Sequence, residues 1–125
     1  FACASSGSGI SILAARYYRE TGAGSLILTL GKRGAIVFGR PEADAERLPT
    51  DYLPSLAQSP PVDPVGAGDV FLAAAVLSDL AGATLAQAAY VASCVAAVHV
   101  GTLGNDPVGG GDFLEFLRHR PELAP

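Results

Sequence analysis

An α/β fold of three layers, with helices on both sides of a small sheet, is what this sequence predicts, and three observations carry the prediction. Segments with apolar residues at helical spacing alternate along the chain with short runs of branched apolar residues. Glycine and proline clusters separate these segments where turns are needed. Half of the 125 residues are hydrophobic and only 16% are charged, a composition that can bury a core and argues against disorder. In such a fold, ligands are expected at the carboxyl ends of the strands.

Residues 8–21 set Ile10, Leu13, Ala14 and Tyr17 at i, i+3, i+4 and i+7, with Arg16, Arg19 and Glu20 opposite, so an amphipathic helix is expected, stopped by Gly22. Residues 26–30 read as a buried strand, Gly31-Lys32-Arg33-Gly34 as a turn, and residues 35–38 as a strand returning from it. A further turn falls at residues 39–42, and a weak third strand is expected at residues 45–48. Pro49, Pro54, Pro60 and Pro61 make residues 50–61 a surface connection with at most a short edge strand.

Residues 70–80 read as a helix that is apolar nearly all round (Val70, Phe71, Leu72, Val76, Leu77, Leu80), expected to be buried and to end at Gly82. Thr84 with Gln87 forms a capping box for a second, alanine-rich helix to about Val100. A glycine-rich loop follows at residues 101–111, and Asp112 is expected to cap a last helix holding Phe113, Leu114, Phe116 and Leu117, closed by Arg118, His119 and Pro121.

The formal net charge of −4 makes nucleic acid and anionic membrane poor partners, so neither is expected. Cys3 and Cys94 belong to no C-x-x-C or Cys/His array, which predicts buried free thiols. The most apolar stretch, residues 85–100, falls short of the roughly 20 residues of a membrane span and is interrupted by Gln87, Ser93 and His99. A cytoplasmic protein is expected. The chain has no Met and opens at Phe1, which predicts a piece of a longer protein.

The chemistry concentrates in Asp63-Pro64-Val65-Gly66-Ala67-Gly68-Asp69. Gly66 and Gly68 allow unusual backbone angles and leave no side chain between a ligand and the main chain. The helix that follows aims its unpaired N–H groups and the positive end of its dipole at this turn, a place that suits a phosphate. Asp69 lies in the first helical turn, where the dipole favours a carboxylate able to orient a hydroxyl and take its proton. Singly, a Gly-x-Gly at a helix start is a tight turn and an Asp there is dipole compensation. Together, D-x-x-G-A-G-D arises by chance on the order of once per million windows at average residue usage.

On these residues the chain resembles the ribokinase (PfkB) family of carbohydrate kinases. The resemblance implies a three-layer αβα, ribokinase-like (Rossmann-like) fold, of which residues 1–125 would be the C-terminal nucleotide-binding and catalytic-base portion. It implies ATP-dependent phosphorylation of a sugar or sugar-phosphate hydroxyl with Mg2+, Asp69 being the base and Gly66, Ala67 and Gly68 the anion hole. Thr29-Leu30-Gly31-Lys32-Arg33-Gly34 resembles the family's T-L-G-x-x-G segment, which lines the nucleotide site, and by the same resemblance Ser93 lies near the adenine edge. The stretch from His99 to Gly104 is similar to the loop that borders adenine and a monovalent cation. Asp63 and the main-chain carbonyls of Val65, His99, Thr102 and Gly104 are thereby implied as ligands of K+. Pro64 stands where ribokinases usually carry Thr, and Val108 where a cation-binding Ser often occurs. The wording of residues 91–104 is mildly similar to heptose 7-phosphate kinases.

The family's sugar-binding residues, lid and N-x-x-E motif belong upstream of a segment like this one. A homodimer is compatible with the reading. Two alternatives stay open: a non-catalytic nucleotide-binding or regulatory module that retains the fold, and a purely structural α/β fragment. Without the D-x-x-G-A-G-D string, the glycines of residues 31–34 read as hairpin geometry, and Lys32 and Arg33 as solvated turn charges. His99 reads as a helix-end residue whose partial charge suits the dipole, His119 as a surface residue and Asp106 as a turn former.

Overall fold

Helix α1, Ile10–Thr21, ends where Gly22 takes φ 66° and returns its N–H to the Tyr18 carbonyl at 2.9 Å. The computed structural model describes residues 9–41, 46–57 and 60–124, so Cys3, Ser8, Glu42, Ala45 and residues 58–59 of the sequence reading lie outside the described residues. The inward face of α1 is rotated from the expected stripe. Ala14, Ala15 and Tyr18 are buried, whereas Ile10 and Tyr17 are 42% and 51% exposed. The Ser11 hydroxyl explains the rotation, because it bonds both the N–H of Leu48 (2.6 Å) and its carbonyl (2.9 Å), turning the 11-14-15-18 stripe inward.

Strands β1 (Leu26–Thr29), β2 (Ala35–Phe38) and β3 (Thr50–Leu53) form an antiparallel sheet in the order β1-β2-β3. Register places Leu26 opposite Phe38 and Thr29 opposite Ala35, while Ala35 also faces Leu53. Residues 46–48 do not form the third strand, which is instead the short edge strand allowed within residues 50–61. Glu46 and Arg47 form a bend, Leu48 is the buried anchor of α1, and only beyond Pro49 are consecutive N–H groups available for pairing.

Alternation along the strands divides the core. Leu26, Ile36 and Phe38 pack with Ala14, Ala15 and Tyr18 of α1 and with Leu48, while Ile27 and Ala35 meet Phe71 and Ala92 on the other face. Phe71 belongs to α2 (Ala67–Leu80) and Ala92 to α3 (Leu85–Val100). The three layers expected from the sequence are therefore present: α1, sheet, then α2 with α3.

Helix α2 starts at Ala67, before the expected Val70, so Gly68 and Asp69 are inside its first turn. It is not buried all round. Phe71 is buried, but Leu72, Leu77 and Leu80 are 63%, 68% and 77% exposed. Among the described residues nothing pairs with the outer edge of β1, and the sheet ends before it can cover that flank of α2.

Helix α3 carries the expected capping box. Gln87 N–H donates to Thr84 Oγ1 at 3.3 Å and Thr84 N–H to Gln87 Oε1 at 2.9 Å. Helix α4 (Gly110–Arg118) begins ahead of Asp112, with Gly109 as its N-cap, and packs on α3. Asp112 is thus a first-turn residue rather than the cap, its carboxylate close to Gly109. The chain end returns to α3: the Tyr90 hydroxyl donates to Glu122 Oε1 at 2.9 Å, and the Arg120 guanidinium lies 4.6 Å from the centre of the Phe116 ring. Cys94 is fully buried beneath this contact, and burial pushes its thiol up to about 11.

Candidate functional site

The turn before α2 is fastened to the end of α3. Val62 and Asp63 donate their N–H groups to the Val100 carbonyl at 2.7 and 3.3 Å. Asp63 Oδ1 accepts the Val65 N–H at 3.0 Å, closing a side-chain turn across Pro64. Below it, the His99 ring, 1% exposed, places Nε2 2.7 Å from the Val65 carbonyl oxygen. Gly66 then takes φ 79° as N-cap of α2, and its carbonyl accepts the Val70 N–H at 3.0 Å. A Cβ on Gly66 would lie 2.6 Å from Asn105 Oδ1 and 3.3 Å from His99 Nε2, so the backbone angle demands glycine there and a side chain would also displace Asn105.

The amides divide unequally. Ala67 N–H donates to the Pro64 carbonyl at 3.3 Å, whereas those of Gly66, Gly68 and Asp69 have no partner among the described residues. The set of open donors is therefore Gly66, Gly68 and Asp69 rather than the expected Gly66, Ala67 and Gly68. At Gly68 nothing lies within 4 Å of where a Cβ would be, so a ligand can approach its main chain. The Asp69 side chain is exposed, two residues into α2, with no hydrogen bond or ion pair among the described residues. Three unpaired donors beside a carboxylate, at the positive end of a helix, can hold an anion and accept a proton next to it.

Gly68 shares a cleft of about 440 Å³ with Thr29, the last residue of β1, and with Phe71, Leu72 and Val76. The carboxyl end of β1 and the amino end of α2 thus converge on one opening. Beyond Thr29 the chain makes a tight hairpin: Leu30 N–H donates to the Gly34 carbonyl at 2.7 Å, around a 3-10 turn at Gly31–Arg33 with Gly31 at φ 58°. Gly34, at φ 99°, passes so close to β3 that any Cβ would collide with the Leu53 carbonyl, and the Tyr52 hydroxyl bonds the Arg33 carbonyl. Both glycines are accounted for by hairpin geometry. The Lys32 and Arg33 side chains remain exposed, with no ion pair among the described residues.

Ser93 is buried within α3 and does not line the cleft. Of the implied cation ligands, Asp63, Val65 and His99 come together, but the His99 carbonyl already accepts the Thr102 N–H (3.2 Å) and hydroxyl (2.9 Å). No group of three or more His, Cys, Asp or Glu side chains able to hold a metal occurs among the described residues. No described helix is long and apolar enough to cross a membrane. Two side chains escaped the sequence reading: Asn105, which walls Gly66, and the His99 ring, which holds Val65. Both act across long stretches of chain, and no local pattern signals either.

The model of the pfkB family of carbohydrate kinases matches residues 11–107, more than half of the chain. No curated protein sequence is similar enough to match. Among solved structures, the ribokinase of Thermotoga maritima superposes with a TM-score of 0.70 at 25% identity, over 86% of this chain and 34% of that one. The chain thus spans about a third of the ribokinase it resembles.

Proposed function

The chain belongs to the pfkB family of carbohydrate kinases, and from that premise we propose that it carries the phosphate-binding turn and catalytic base of an ATP-dependent sugar kinase. A sugar or sugar-phosphate hydroxyl attacks the γ-phosphorus of ATP. The new O–P bond forms as the bond to the β-γ bridging oxygen breaks, ADP leaves with that electron pair, and the hydroxyl proton passes to the Asp69 carboxylate. The Gly66, Gly68 and Asp69 amides take up charge on the phosphoryl oxygens, where positioning and electrostatics supply most of the catalysis. Thr29 and the cations of Lys32 and Arg33 border the nucleotide side. Magnesium, when bound with the nucleotide, would neutralise phosphate charge.

One observation supports the reading above others: three partnerless amides lie beside an exposed carboxylate at the start of α2, where Gly68 lines a cleft shared with the end of β1. Replacing Asp69 by Asn in the intact protein is expected to lower kcat by roughly 10² to 10⁴. The melting temperature should hardly move, because the side chain is exposed and makes no bond among the described residues. Undiminished turnover would remove Asp69 as the base.

Because the chain spans 34% of the ribokinase it matches, a second reading keeps the same turn as a non-catalytic nucleotide-binding module. Calorimetry with ADP beside a turnover assay on a panel of sugars separates the two. ADP binding without turnover selects the module, and absence of both leaves a structural fragment.

A further inference from the structure

We propose that the His99 imidazole N–H, in place of a monovalent cation, holds the Val65 carbonyl and thereby aims the Gly66 amide at the bound anion. The implied cation ligands do not fit a cation here. Val65 O lies 2.7 Å from His99 Nε2, and since a carbonyl only accepts, the ring proton is on Nε2 and points at the oxygen a cation would need. The His99 carbonyl is filled by two donors of Thr102, and Asp63 Oδ1 is occupied by the Val65 N–H. Two of the five implied ligands, the Val65 and His99 carbonyls, and one oxygen of a third, Asp63, are thus engaged by the protein's own donors, and Val108 brings no hydroxyl where a ligating one often stands.

The ring is 1% exposed, and its Nδ1 has no partner among the described residues, so its one polar contact is the bond to Val65. A buried polar atom left unpaired is costly, and the ring accepts that cost in the position that reaches Val65. The Val65 C=O and the Gly66 N–H belong to one planar trans peptide, so fixing the oxygen toward α3 directs the N–H to the opposite side. That N–H is one of the three open donors. His99 is therefore a positioning residue: it acts on the anion through the peptide that it pins.

The inference rests on the preceding reading only in taking this turn as the phosphate site. Thermal melts of the purified protein in KCl, NaCl and choline chloride at equal ionic strength test it directly. The melting temperature is expected to agree within about 1 °C in the three salts, whereas a K+ site filled well above its Kd would raise it in KCl alone by about 3 °C or more. Such a selective rise overturns the proposal.

ADP titration adds a second readout. In choline chloride, His99→Leu should weaken ADP binding roughly tenfold through loss of the aimed amide, and His99→Gln, which can keep an N–H in reach, should recover most of that. ADP affinity unaltered in His99→Leu overturns the positioning role. Should the Leu variant fail to fold, the wild-type melts and the Gln variant still decide. Absence of ADP binding in the wild type defeats the kinase reading, and K+-selective melting defeats this one.

Discussion

Gly66 and Gly68 sit two positions apart and are needed for opposite reasons. Gly66 combines φ 79° with a crowded side, where Asn105 Oδ1 would be 2.6 Å from a Cβ. Gly66→Ala is therefore expected to cost at least about 1–2 kcal/mol of stability in urea denaturation. Gly68 is helical with open space around it, so Gly68→Ala should stabilise α2 by about 0.5–1 kcal/mol while its methyl group crowds the anion and weakens ADP binding. Equal destabilisation by both changes would count against this assignment of roles. The string that contains both glycines was legible because its logic is local: a turn, a helix start and a carboxylate within seven neighbours. His99 and Asn105 were not, since the contact of His99 with Val65 spans 34 residues and nothing near His99 announces it.

At the scale of elements, sequence and structure coincide where caps and periodicity agree, as in the Thr84 capping box and the Gly22 stop. The two differ at helix starts: Gly68, Gly110 and Gly111 are weak helix formers and, with Ala67, carry no apolar stripe, so α2 and α4 begin earlier than the pattern suggests. The third strand moved because Pro49 separates a buried anchor, Leu48, from residues free to pair.

The contact between α3 and the chain end makes a pH-dependent statement. Burial raises the Cys94 thiol from 9.0 to about 11, so well below pH 9 it is protonated whether folded or unfolded and adds no slope. Between those values the unfolded thiol ionises first. Its contribution to stability should then fall by at most about 1.4 kcal/mol per pH unit. Comparing denaturation midpoints across this window for the protein and Cys94→Ala checks it, and parallel profiles would show that the thiol is not held in a dry site.

Over the whole molecule, the three-layer arrangement was readable from alternation, yet the burial of α2 was not realised. Leu72, Leu77 and Leu80 are apolar for a reason the described residues do not satisfy, because β1 is the edge of the described sheet. An uncovered apolar row of this kind beside the apolar cleft, which Leu72 also lines, is a surface suited to association. The 125-residue chain on its own is therefore expected to associate as its concentration rises in sedimentation experiments, and Leu72→Gln with Leu77→Gln should reverse this. A chain that stays monomeric over the whole range would mean that the face is covered in another way.

Anion binding depends most on the amides at the start of α2, and a nitrogen-proton correlation spectrum recorded during ADP titration reads them one by one. Gly66, Gly68 and Asp69 are expected to show the largest shifts, with Ala67, bonded to Pro64, moving less. Saturating shifts confined to other parts of the chain, with these three unmoved, would contradict it.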